Sequence, residues 1–172
     1  MEERQKHSVH STLRESIIEH LFAGELLRRL WQRQIFEAEI LKSEFDAGGY
    51  DLVLTYKNVT RHIQLKVGRE GGKRADINVN LRLSEKPSGC VVWISVDDDL
   101  NLKGYSFFGN DPHRPLPDVA TMKVVKHTKG NAGGIKSERD GHRLVKLNQF
   151  SRMSDLDHLL EFLLGKDLLT SG

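Results

Sequence analysis

The chain has a single cysteine, Cys90, among 172 residues. That excludes a disulfide framework and a zinc cluster built from cysteine alone. Cys90 sits in the apolar run Cys90-Val91-Val92-Trp93-Ile94, where a buried thiol is the expectation. No apolar run approaches the ~20 residues that cross a bilayer, and no N-terminal stretch has the pattern of a signal peptide. The reading is a cytoplasmic protein with no membrane partner. Charge of one sign is also missing in bulk: 26 Lys and Arg stand against 24 Asp and Glu, a net +2. Internal repeats and low-complexity segments are absent. What is present is ordinary for a globular domain, with 38% hydrophobic and 29% charged residues. The length suits one domain spanning 1–172, able to bury a core unaided, with a loose polar segment over 1–10.

The most informative stretch is Gly48-Gly49-Tyr50-Asp51-Leu52-Val53-Leu54-Thr55, followed by Arg61-His62-Ile63-Gln64-Leu65-Lys66-Val67. Both halves read as strands rich in Val, Ile, Leu and Thr, with a turn over 56–60 between them. Residues two apart in a strand share a face. Gln64 and Lys66, with His62, therefore project one way, and Ile63, Leu65 and Val67 the other. Two glycines let the backbone turn sharply just before Asp51, and a hairpin of this length brings Asp51 beside Gln64 and Lys66. Hard oxygen donors grouped like this suit Mg²⁺. A neighbouring lysine can activate water or balance the charge of a phosphate under attack. The bland alternative is an amphipathic hairpin with a solvated polar face.

Upstream, Ser11 or Thr12 can cap a helix, with Glu15 three residues beyond Thr12 as in a capping box. Leu13, Ile17, Leu21 and Ile18, Phe22, Leu26, Leu30 keep helical spacing to about Gln32. Two apolar stripes predict a helix buried over much of its girth. Glu25 continues one stripe and Glu19 adjoins the other. Each carboxylate serves either a site or an ion pair with Arg14, Arg28 or Arg29.

Together these residues resemble the PD-(D/E)xK nuclease superfamily, which includes many restriction enzymes and Holliday-junction resolvases. The resemblance covers residues 11–67. It implies an α/β, restriction-endonuclease-like fold, a mixed β-sheet flanked by helices. It implies a metal-dependent nuclease hydrolysing DNA phosphodiester bonds with Mg (or Mn). Metal ligands would be Asp51, Gln64, the Leu65 carbonyl and a helix glutamate, Glu25 ranked ahead of Glu19; Lys66 would position or activate the water. The chain departs from the pattern twice. Tyr50 replaces the proline before the aspartate, and Gln64 replaces the usual acid, removing one negative charge. A catalytically inactive nucleic-acid-binding protein of the same fold is the alternative. A third option is an unrelated domain binding an acidic protein or a small ligand.

Further along, 35–41 reads as a strand and Asp46 as a turn residue. Residues 76–86 read as a short helix, although 77–83 also alternates like a strand. Residues 90–96 form a buried strand closed by the turn Asp97-Asp98-Asp99. Residues 105–108 are another strand, and 123–127 and 143–147 bracket a glycine-rich segment. Ser154 with Asp157 opens a final helix burying Leu156, Leu159, Leu160, Leu163 and Leu164. From Lys57 to Lys86 eight basic residues, Arg61 among them, stand against three acids, a local +5. From Lys123 to Lys146 seven stand against two, again +5. Such stretches suit a phosphate backbone. The expected nucleic-acid contacts are His62, Arg69, Lys73, Arg74, His127, Lys129 and Lys136, with DNA as partner and a homodimer as a further option.

Overall fold

In the computed structural model, residues 9–45, 48–126 and 138–170 are described. The long helix α1 (Ser11–Gln32) leads into β1 (Glu39–Lys42), β2 (Leu52–Tyr56) and β3 (Val59–Arg69). Then come β4 (Asp76–Asn80), a 3-10 turn (Leu81–Glu85), β5 (Gly89–Val96), β6 (Leu102–Gly109), β7 (Val124–Lys126), β8 (Glu138–Lys146) and β9 (Ser151–Met153). The chain closes with α2 (Leu156–Leu164) and the short α3 (Lys166–Thr170). A six-stranded sheet runs β1-β2-β3-β5-β6-β9, and a three-stranded sheet runs β4-β8-β7. Among the described strands only β3 and β5 pair in parallel; the other neighbours are antiparallel. The fold is mixed α/β.

Strand β5 explains the layering. Its apolar run is continuous rather than alternating, as in a strand covered on both faces. Cys90, Val92, Ile94 and Val96 join a core with Ile18, Phe22, Leu26 and Leu30 of α1 and Leu159, Leu160 and Leu163 of α2. Val91 and Trp93 join a second core with Ile77, Val79 and Val145 of the smaller sheet. Helices thus cover one face of the large sheet and the small sheet covers the other. Burial pushes the Cys90 thiol up to about 11, so it is inert as a nucleophile at neutral pH.

Several elements differ from the sequence reading. Helix α1 buries one stripe, Ile18, Phe22, Leu26 and Leu30, whereas Leu13 and Leu21 stay 59% and 44% exposed. One sheet offers one line of contact, so among the described residues the second apolar stripe is only partly covered. Neither Ser11 nor Thr12 caps the helix. His10 precedes it, and its carbonyl accepts the Arg14 N–H at 2.9 Å. At α2 the cap is Asp155, not Ser154: its carboxylate accepts the His158 N–H at 2.8 Å. Residues 76–86 split, the alternating half pairing with β8 and the rest forming the 3-10 turn. Arg61 is fully buried, donating to Ser88 Oγ and to the carbonyls of Asn110 and Phe162. It therefore leaves the surface charge counted around it. Asp46, His127, Lys129 and Lys136 lie outside the described residues. No described helix is long and apolar enough to cross a membrane.

Candidate active-site cleft

Strand β2 is short, and that creates the site. The β2–β3 ladder runs from Tyr56↔Val59 to Leu52↔Ile63 and stops, while β3 continues to Arg69 beside β5. From Gln64 onward one edge of β3 has no strand beside it among the described residues. Asp51 stands where the ladder ends. Its N–H donates to the Ile63 carbonyl at 2.9 Å, and its carboxylate Oδ2 accepts the Leu65 N–H at 2.6 Å. A bare strand edge presents unpaired backbone groups, and the Asp51 side chain takes the place of the missing strand for one of them. Backbone groups two residues apart point to the same edge. The Leu65 carbonyl therefore opens on the same side as its N–H, next to the Asp51 carboxylate.

Gly49 makes this approach feasible. Its φ is +72°, in the region that favours glycine, and a Cβ there would lie 2.8 Å from Asn80 Cβ at the end of β4. The chain enters Asp51 pressed against the small sheet.

Asp51, Leu65, Lys66 and Val67 line a cleft of about 280 Å³ between the helical layer and the small sheet. Glu15 and Glu19 of α1 close it on one side, Arg74, Ile77 and Asn78 on the other. Glu19 is mostly covered, its side chain 21% exposed, and it pairs with Lys42 Nζ at 2.7 Å.

Glu25, ranked first by sequence, is elsewhere. It pairs with Arg28 at 2.6 Å and lines a different hollow with Leu102 and Tyr105 of β6. The reason is helical phase: Glu19 and Glu25 are six residues apart, about 240° around the axis. When Phe22 and Leu26 face the sheet, one glutamate looks toward β1 and the other toward β6.

Gln64 also departs from expectation. It shares a strand face with Lys66, but it is only 5% exposed, and its Oε1 accepts the Asn80 N–H at 3.3 Å. It joins the two sheets and does not line the cleft. His62 is likewise outside the cleft, its ring edge-on to Tyr50 at 4.9 Å. Burial, then the charge of Lys86, lowers its pKa from the usual histidine value.

Beyond Lys66, the same edge of β3 leads into a second cleft of about 570 Å³, which shares Val67 and Arg74 with the first. Arg69, Lys73 and Arg74, expected from sequence, line it together with Arg14, Lys103 and Arg152, which were not. Those last three come from α1, β6 and β9, so no local sequence pattern links them. Glu15 was likewise missed, having been read only as a capping residue.

The groups of the first cleft able to ligate a cation are oxygens: the carboxylates of Asp51, Glu15 and Glu19, the Asn78 carboxamide oxygen and the carbonyl of Leu65. Among the described residues, no three His, Cys, Asp or Glu side chains come together in a group that could hold a metal. Comparison with protein-family models and with curated proteins gives no match.

Proposed function

We propose that the chain is a metal-dependent nuclease that hydrolyses DNA phosphodiester bonds in the Asp51–Lys66 cleft. The observation that carries this reading is the Asp51 carboxylate fixed by the Leu65 N–H at 2.6 Å beside Lys66, in a cleft continuous with a basic one. An all-oxygen donor set matches what Mg²⁺ or Mn²⁺ takes. Asp51, the Leu65 carbonyl and Glu19 would hold it, in place of the Gln64 and Glu25 of the family pattern. The ion supplies charge neutralisation and a more acidic water. The chain's own groups do the rest. The Leu65 N–H holds Asp51 in one rotamer, so little reorganisation is needed when substrate arrives. The Lys66 ammonium offsets the charge that builds on the phosphate, and Arg74 draws the neighbouring backbone in. Water adds across one P–O bond, leaving a phosphate monoester on one fragment and a hydroxyl on the other.

A second reading, a DNA-binding protein without catalysis, is favoured by the Gln64 Oε1 being taken up by Asn80. Cleavage of labelled duplex, single-stranded and branched DNA with Mg²⁺ or Mn²⁺ decides between them. The nuclease reading expects cleavage by the wild type and none by Asp51→Ala, whose salt-sensitive binding persists because removing an acid does not weaken phosphate attraction. Binding without cleavage by the wild type on every substrate establishes the second reading instead.

A further inference from the structure

The basic cleft is walled by four separate parts of the chain. Arg14 comes from α1, Arg69, Lys73 and Arg74 from β3 and the loop after it, Lys103 from β6 and Arg152 from β9. Among the described residues, six cations and one carboxylate, Glu70, line the cleft; Arg14 pairs with Glu15 and Arg69 with Asp98 at its margin. Among the described residues, Lys73, Arg74 and Arg152 form no ion pair. Unneutralised like charges gathered in one concavity repel, and the arrangement is stabilised by an anion. The floor is shaped for close approach: a Cβ on Gly68 would lie 1.9 Å from Trp93 Cζ2, so only glycine lets the indole cross β3 there. Arg74 sits over the Trp93 ring at 5.8 Å, at the junction of the two clefts.

Size selects among anions. About 570 Å³ is within the range of small-ligand pockets, about 300–1,000 Å³. A concavity of that volume has room for one sugar-phosphate backbone rather than for the two strands of a duplex. An unpaired strand fits, and tracking its backbone with cations is how single-stranded nucleic acid is held without sequence preference. We propose that the basic cleft is the path of an unpaired strand, binding consecutive phosphates beside the one held at Asp51 and Lys66. The substrate class is then a single strand or a single-stranded branch rather than an intact duplex. This rests on the nuclease or DNA-binding reading of the first cleft.

Binding is measured by fluorescence anisotropy in EDTA, with labelled oligothymidine of eight nucleotides and a hairpin duplex of equal phosphate number, at several salt concentrations. Wild type is compared with Lys103→Gln/Arg152→Gln, two exposed positions away from Asp51 and Lys66, with thermal midpoints checking the fold. The expected result is tighter binding of the single strand by the wild type. The double variant should lose about 25-fold in affinity at 0.1 M salt, and its salt slope should fall by about 1.4, at about 0.7 per lost phosphate contact on a single strand. Equal affinity for hairpin and single strand, or an unchanged double variant that has kept its fold, overturns the inference and leaves the first reading standing. Displacement of the strand by tripolyphosphate at equal phosphate number makes the cleft a small-anion site and also overturns it. No binding of any nucleic acid defeats both readings at once.

Discussion

Replacing Gln64 by glutamate installs the acid of the PD-(D/E)xK pattern, and the surroundings of Gln64 set what that should do. Gln64 is 5% exposed, its Oε1 holds the Asn80 N–H at 3.3 Å, and it does not face the cleft. A carboxylate there keeps that hydrogen bond but loses the amide donor and most of its hydration. Desolvation favours the neutral form, so the folded-state pKa rises. Protonation caps the penalty: staying neutral at pH 7 costs at most about 1.36 kcal/mol for each unit above the reference of about 4.3, near 3.7 kcal/mol in all. For a chain of this length that corresponds to a thermal midpoint lower by roughly 7–15 °C. The sign follows from a raised acid pKa. Below about pH 4.3 both states are protonated and the variant matches the wild type; the deficit grows as pH rises through that value. The assay is thermal or denaturant unfolding of Gln64→Glu and wild type from pH 4 to 8, with and without Mg²⁺. A variant as stable as wild type at pH 7, or one that Mg²⁺ stabilises selectively, would refute the buried structural role and return Gln64 to the metal site.

Two other predictions bear on the same framework. His62 has a lowered pKa, first from burial, and among the described residues its buried Nδ1 has no hydrogen-bond partner. Between the usual value of 6.5 and its lower folded value, the unfolded chain binds the extra proton, so wild-type stability falls as the pH falls through that window. His62→Phe should flatten the stability profile between pH 7 and 5; an unaltered slope there contradicts the assignment. Gly68→Ala forces a methyl group against the Trp93 ring. Overpacking of this kind costs about 1–3 kcal/mol and should displace Trp93, read as a shift in its fluorescence in a Trp31→Phe background. An unshifted spectrum with unchanged stability would remove Gly68 from the cleft floor.

Local pattern made much of this legible. The hairpin strands, the doubly covered β5 and the apolar face of α2 follow from period and composition, and Asp51 beside Lys66 follows from the hairpin. What was hidden depends on contacts between distant segments. Choosing Glu19 over Glu25 requires knowing which stripe of α1 is buried, and both stripes look alike in sequence. The structural role of Gln64 needs Asn80, which arrives only when β4 pairs with β8. Arg61 follows the buried alternation of Ile63 and Leu65, yet its charge marks it as a surface residue until α2 closes over it. Arg14, Lys103 and Arg152 converge only in three dimensions.

The most direct test of the site is a crystal soaked in Mn²⁺, which stands above Mg²⁺ in affinity for such a site and carries an anomalous signal. The expected result is an anomalous peak bounded by the Asp51 carboxylate, the Leu65 carbonyl and Glu19, lost in Asp51→Ala. A peak held by Gln64 or Glu25, or no peak in the cleft at saturating Mn²⁺, would contradict it.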